Sequence, residues 1–193
     1  CRLLEEAVRD IKREHRVVAG DTAIEIGLEG SIPKGYIPND QRRIDAYRRI
    51  GEAGRFEDLD GAVRDLQSAY GDLPSATRRL VVLAEIRLAA ALLGVLTLFV
   101  KDRDVIFRTT APVKLQDALE GVQGSVRMIA PDGAGGTIEA TEGTEVEVYF
   151  RPPVSFLEPE SLATILRRRL RSQAEKVATS LQTASPPQID ESE

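Results

Sequence analysis

The stretch LQSAYGDLPSATRRLVVLAEIRLAAALL, residues 66–93, decides the fold because it joins two helices of different character. The first helix is predicted to end at Tyr70, since Gly71 is a residue type that commonly terminates helices. The second helix begins after Pro74, with Ser75 as its expected N-cap. Its residues are apolar on most sides, so we expect it to be the most deeply buried helix of the domain.

The helix that leads into this stretch is amphipathic. Its apolar residues recur at spacings of three and four, which indicates a single buried stripe. The members of the stripe are Phe56, Leu59, Val63, Leu66 and Tyr70. Since helical residues outside such a stripe point the other way, Asp58, Asp65 and Ser68 are predicted to lie on the outer face.

Another helix is predicted further upstream, over residues 40–54. Asn39 or Asp40 is its expected N-cap, and Gly54 is expected to end it. The residues expected on its buried face are Ile44, Tyr47 and Ile50.

Beyond Gly94 the apolar pattern changes to the period of two that is typical of strands. The charged residues 101–104 are expected to form the turn of a hairpin. The predicted strands cover residues 22–28, 95–100, 105–109, 125–130 and 145–150, with a Gly-rich loop at 131–136. A short helix over 113–121 and a long one over 158–181 complete the pattern. The sequence thus predicts an α/β fold of the α+β kind, with a helical N-terminal half packed on a small, mainly antiparallel sheet.

Composition narrows the classes of protein that the chain can represent. The 193 residues include 42% hydrophobic residues and carry a net charge of −5, which is unlike a dedicated nucleic-acid binder. One Cys and one His exclude an internal disulfide and a Cys/His zinc site, and they fit a reducing cytoplasm. No apolar run is long enough for a membrane span. The chain does not begin with Met or with a signal peptide, so we expect a longer protein upstream.

No segment carries recognisable catalytic chemistry. The sequence lacks the GxxxxGK[ST] loop that cradles phosphates. His15 and Cys1 have no partner in the sequence that would activate them. Glu145 and Glu147 fall on one strand face, where an acid/base pair is possible but a solvated surface is the simpler interpretation. We therefore predict no catalytic residue, no metal and no cofactor.

The strongest basic cluster lies on the long C-terminal helix. Arg167, Arg168 and Arg171 are candidate contacts for nucleic acid or for a protein partner, although no aromatic stacking residue is interleaved with them. A second basic set on the helix over residues 40–54 is open to the same two interpretations.

Two segments together resemble the C-terminal domain of bacterial transcription-repair coupling factors. They are GYIPNDQRRIDAYRRI, residues 35–50, and the stretch over residues 66–93. The resemblance extends over about residues 3–94. The matching positions in the first segment are Ile37, Pro38, Arg43, Tyr47, Arg49 and Ile50. In the second segment and directly after it they are Leu66, Tyr70, Gly71, Pro74, Leu80, Leu83, Ala84, Arg87 and Gly94.

The resemblance implies a regulatory function. Such factors are ATP-driven DNA translocases that displace stalled RNA polymerase and recruit UvrA for excision repair. Their non-catalytic C-terminal domain docks on a UvrB-like N-terminal module and masks its UvrA-binding surface. The family's first acidic docking position corresponds to Asp65, the second to Ser68, and Asp72 or Asp58 is expected to replace the carboxylate missing at Ser68.

The implied organisation has three parts. Residues 1–16 form a helix that connects to an upstream translocase module, residues 17–182 form the regulatory domain, and residues 183–193 form a disordered tail. The expected partners are the UvrB-like module and, through the parent protein, UvrA, RNA polymerase and DNA, with no membrane. The alternatives are a nucleic-acid-contacting module that uses the Arg-rich helix, and a small enzyme.

Overall fold

The computed structural model describes residues 22–129 and 143–183. It contains a sheet with helices on one face and a cluster of helices beside the sheet. The predicted helix over 1–16, the Gly-rich loop and residues 184–193 lie outside these ranges. The described helices are α1 (Asp40–Glu52), α2 (Phe56–Tyr70), α3 (Ser75–Leu92), α4 (Pro112–Leu119) and α5 (Pro159–Thr183), with a 3₁₀ turn at Val154–Phe156. The strands are β1 (Ala23–Glu25), β2 (Val95–Lys101), β3 (Asp104–Thr109), β4 (Ser125–Ile129) and β5 (Val146–Arg151).

The sheet has the order β1-β2-β3-β5-β4. Only the β1–β2 pair is parallel within the described sheet, which confirms the prediction of a mainly antiparallel sheet in an α+β fold. One cross-strand row joins five apolar residues of the core in direct register. That row is Ile24, Leu98, Phe107, Val148 and Met128. Such rows of neighbouring side chains stabilise a sheet on its buried face.

Two hydrophobic cores flank α3. One core fills the space between the sheet and α5, and its largest buried side chains include Phe107, Phe150 and Leu166. The other lies among α1, α2 and α3. Helix α3 serves both, because Ile86 packs in the sheet core and Leu88 in the helical core. The expectation that this helix is deeply buried is therefore confirmed.

Several helices begin or end at capping or terminating residues that the sequence shows. The Asn39 side chain caps α1 by accepting a hydrogen bond from the Arg42 backbone N–H at 2.9 Å, as predicted. Gly71 ends α2 with φ of 82°, a conformation that favours glycine. The prediction for Ser75 is wrong, because Pro74 occupies the N-cap position and no side chain caps α3. Ser75 already belongs to the helix, whose first backbone bond runs from Arg78 N–H to the Pro74 carbonyl.

Two predicted elements differ in extent or orientation. The strand expected over residues 22–28 is only three residues long, because Gly27 turns the chain with φ of 73°. The buried face of α1 consists of Arg43, Ala46 and Ile50. Of the predicted residues Ile44, Tyr47 and Ile50, only Ile50 is fully buried. The difference arises from a buried arginine that sequence patterning treats as a surface residue.

Candidate docking surface

The predicted docking residues all lie at the surface, on α2 and just beyond it. Asp58, Asp65 and Ser68 are exposed on α2, and Asp72 is exposed immediately after the helix. The opposite side of α2 is buried through Leu59, Ala62 and Leu66. We call Asp58, Asp65, Ser68 and Asp72 the docking surface. Its placement outside the core follows from the same helical period that buries the apolar stripe.

One carboxylate of this surface already has a partner within the domain. Arg49 on α1 approaches Asp65 with 2.6 Å between Nη2 and Oδ2, and both side chains are about 60% exposed. Exposed ion pairs of this kind contribute about 0.2–1 kcal/mol, so a competing cation can replace Arg49 at little cost. The sequence did not reveal this pair, because the two residues lie on different helices.

A groove runs beside the ion pair between α1 and α2. Its volume is about 250 Å³, and Ala46, Ala62 and Ala69 are among its lining residues. The small side chains leave space between the two helices, while Arg42 and Asp45 line the α1 side. The groove therefore combines an apolar floor with charges of both signs.

The far end of the docking surface is held by Tyr36. Its hydroxyl donates to the Gly71 carbonyl at 2.8 Å, and its ring lies 5.7 Å from that of Tyr70 between centroids. Desolvation, then the charge of Asp72, raises the pKa of Tyr36. The phenol therefore stays protonated at neutral pH and keeps the turn that carries Asp72 in place.

The arginines of α1 differ in their exposure to solvent. Arg43 is only 2% exposed, whereas Arg42, Arg48 and Arg49 are exposed. The Arg43 guanidinium donates to the Ile37 carbonyl at 2.6 Å and to the Asp40 carboxylate. That hydrogen bond is the largest cause of the lowered pKa of Asp40. Arg43 thus fixes the loop before α1 and is not available to an external partner.

The Arg-rich helix is largely engaged inside the domain. Arg167 and Arg171 both pair with Glu85, a residue of α3 whose side chain is 6% exposed. Arg169 donates to the backbone carbonyls of Glu120 and Gly121. Arg168 is exposed. These contacts reduce the positive charge that the helix can offer to phosphate groups, and the nucleic-acid contact stays a prediction.

Glu145 and Glu147, the candidate acid/base pair, form contacts within the domain. Arg108 lies 3.3 Å from Glu145 and 3.8 Å from Glu147, and the Tyr149 hydroxyl donates to Glu147 at 2.7 Å. These partners satisfy the charges of the two carboxylates, which favours the surface interpretation over an acid/base pair. His15 and Cys1 lie outside the described residues. Within residues 22–129 and 143–183, no group of His, Cys, Asp and Glu has the arrangement of a metal site, and no helix is long and apolar enough to cross a membrane.

Comparison with known proteins identifies the domain family that this chain matches. The family model of the TRCF domain matches residues 26–118, which include α1 to α3 and the docking surface. The chain contains a TRCF domain. A solved C-terminal domain of a transcription-repair coupling factor superposes with a TM-score of 0.66 at 13% identity, over 83% of this chain and 96% of that one. The TRCF fold therefore extends well beyond the residues that the family model matches.

Similar full-length proteins are much longer than this chain. The transcription-repair-coupling factor of Mycobacterium bovis is 30% identical over 98 residues, which cover 45% of this chain and 8% of that protein. Its counterpart in Staphylococcus aureus is 26% identical over 139 residues, covering 71% of this chain and 12% of the relative. The chain with its TRCF domain thus aligns with about a tenth of each relative's length.

Proposed function

We propose that this chain is the non-catalytic, regulatory C-terminal domain of a transcription-repair coupling factor, and that its docking surface binds a UvrB-like module of the same polypeptide. Docking covers the surface through which that module binds UvrA, so the resting protein recruits UvrA poorly. The parent protein acts as an ATP-driven DNA translocase on stalled RNA polymerase. Residues 1–16 connect the translocase module to the domain over residues 17–182, and residues 183–193 form a tail.

The observation that carries this proposal is the exposure of α2. Three carboxylates and one hydroxyl reach the surface along α2 and its C-terminal turn, while the opposite stripe of the same helix is buried. Charges on an exposed surface set the specificity and rate of association, and a charge pair that becomes desolvated costs about 2–5 kcal/mol when one partner is removed. A basic patch complements this surface best. It can pair with Asp65 in place of Arg49.

The test is a titration of UvrA into the full-length protein that contains this chain. Asp65→Arg reverses one charge of the docking surface without touching either core, so the domain stays folded and undocks. Since apparent affinity scales with the fraction of molecules that are competent to bind, a domain docked 99% of the time allows a gain in UvrA affinity of up to about 100-fold. Circular dichroism of each variant verifies the fold.

A matched control uses the same substitution elsewhere. Asp117→Arg changes the charge of an exposed residue on α4, away from α2. We expect its UvrA affinity to equal that of the wild-type protein. Unchanged affinity in a folded Asp65→Arg variant would remove Asp65 from the interface. If Ser68→Arg and Asp58→Arg also had no effect, α2 would not be the docking helix.

A further inference from the structure

The docking helix is attached to the rest of the domain mainly through the helical core. Leu59 and Leu66 of α2 pack there against α1 and α3, whereas α5 belongs to the sheet core. Phe56, at the first position of α2, is the residue of this helix that packs against both cores. Any contact between α2 and α5 therefore joins two parts of the domain that otherwise meet through α3.

Arg171 of α5 makes that contact. Its guanidinium lies 4.6 Å above the centroid of the Phe56 ring, and its Nη2 lies 3.7 Å from an Asp60 carboxylate oxygen. Its Nη1 lies 3.3 Å from Glu85 on α3, and its Nε lies 2.9 Å from Glu175 on α5. One side chain thus contacts three helices, and it is only 27% exposed.

The chemistry of arginine suits this position. A planar guanidinium can stack on an aromatic ring while its edge donates to several carboxylates, which an ammonium group cannot reproduce. The Glu85 carboxylate is buried on α3 and needs such a partner, because an unpaired buried charge is strongly unfavourable. Arg167 contributes a second donor to Glu85, whereas Arg171 also contacts Phe56 and Asp60 on α2. The link to the docking helix therefore depends on Arg171.

We infer that Arg171 is a positioning residue for the docking surface. It holds the N-terminal part of α2 against α5 and so sets where the carboxylates of the docking surface lie relative to the sheet. Asp60 and Ser68 are eight residues apart, about 12 Å along the helix. A small rotation of α2 about its N-terminal end therefore moves the docking surface away from its partner. This inference rests on the docking proposed above.

The experiment measures UvrA affinity of the full-length protein with Arg171→Met, which keeps an unbranched side chain over Phe56 but removes the charge and the donors. We expect UvrA to bind about two- to thirtyfold more tightly, the range in which residues outside a binding site alter coupling between sites. Arg171→Lys should restore only part of the docking. Lys176→Met, which removes an exposed cation from the same helix, is the control and should leave UvrA affinity unchanged.

Hydrogen exchange separates positioning from a general loss of stability. If Arg171 positions α2, Arg171→Met speeds amide exchange in α2 while exchange in β3 and β5 stays as in the wild-type protein. A uniform increase across both cores would contradict the inference. Asp60→Asn removes only the ion pair between Arg171 and α2 and leaves the Phe56 contact in place. It should therefore show a weaker form of the same pattern, and it serves as the test if Arg171→Met unfolds.

The outcomes distinguish this inference from the proposed function. If Asp65→Arg raises UvrA affinity while folded Arg171→Met and Asp60→Asn do not, docking stands and the positioning role of Arg171 is wrong. If none of the three variants changes UvrA affinity, and Ser68→Arg and Asp58→Arg have no effect either, docking through α2 is wrong and the inference fails with it.

Discussion

Replacing Glu85 by Gln should destabilise the domain more than any change to an exposed ion pair. The Glu85 carboxylate pairs with Arg167 and Arg171, and the side chain is 6% exposed. Removing one partner of a fully buried pair costs about 3–5 kcal/mol. Arg167 is 46% exposed and can be hydrated, and Arg171 keeps two other carboxylates. We therefore expect a smaller loss, about 2 kcal/mol, which corresponds to about 4–8 °C in the thermal midpoint of a domain of this size.

Urea unfolding of the 193-residue chain, followed by circular dichroism, measures this loss of free energy. Asp65→Asn is the control, since it breaks the exposed pair with Arg49 and should cost at most about 1 kcal/mol. A change below about 0.5 kcal/mol for Glu85→Gln, or a loss no larger than that of the control, would refute the reasoning that the Glu85 network stabilises the junction of the two cores.

Two further variants test other buried polar groups. Arg43→Met leaves the Ile37 carbonyl without its donor, so unfolding free energy in urea should fall by about 1–3 kcal/mol, and wild-type stability would contradict this role. Asp104 has a lowered pKa, chiefly through its hydrogen bonds from Arg151. Its contribution to stability is present above the unfolded carboxyl pKa near 4 and is lost as pH falls through the folded pKa. In Asp104→Asn the urea midpoint should therefore fall less steeply than in the wild-type protein as the pH drops below about 4. An equally steep fall in the two proteins would contradict the role assigned to Asp104.

The features that sequence predicted best are those that depend on local pattern. The α2 stripe, its end at Gly71 and the outward direction of Asp65 all follow from one helical period and one terminating residue. The Asn39 cap is equally local, since donor and acceptor are three residues apart. For the same reason the hairpin formed by β2 and β3 was predictable, because a short turn joins its strands.

Features that depend on distant partners were missed. Glu85 is buried because Arg167 and Arg171, which lie on another helix, satisfy its charge, and the local pattern does not reveal that pairing. The pairing of β3 with β5, which leaves β4 at the edge of the sheet, could not be predicted from pattern alone. The same holds for the Arg49–Asp65 pair, which gives one predicted docking residue a partner within the domain.

Docking through α2 is tested most directly by amide hydrogen exchange in the full-length protein. The measurement compares exchange over residues 56–72 in the intact protein and in a version that lacks the UvrB-like module. We predict faster exchange in this segment when the module is absent, with no change in β3 and β5, because docking protects α2 and leaves the sheet core unaffected. Equal exchange over residues 56–72 in the two proteins would contradict the proposal that this surface docks on the module.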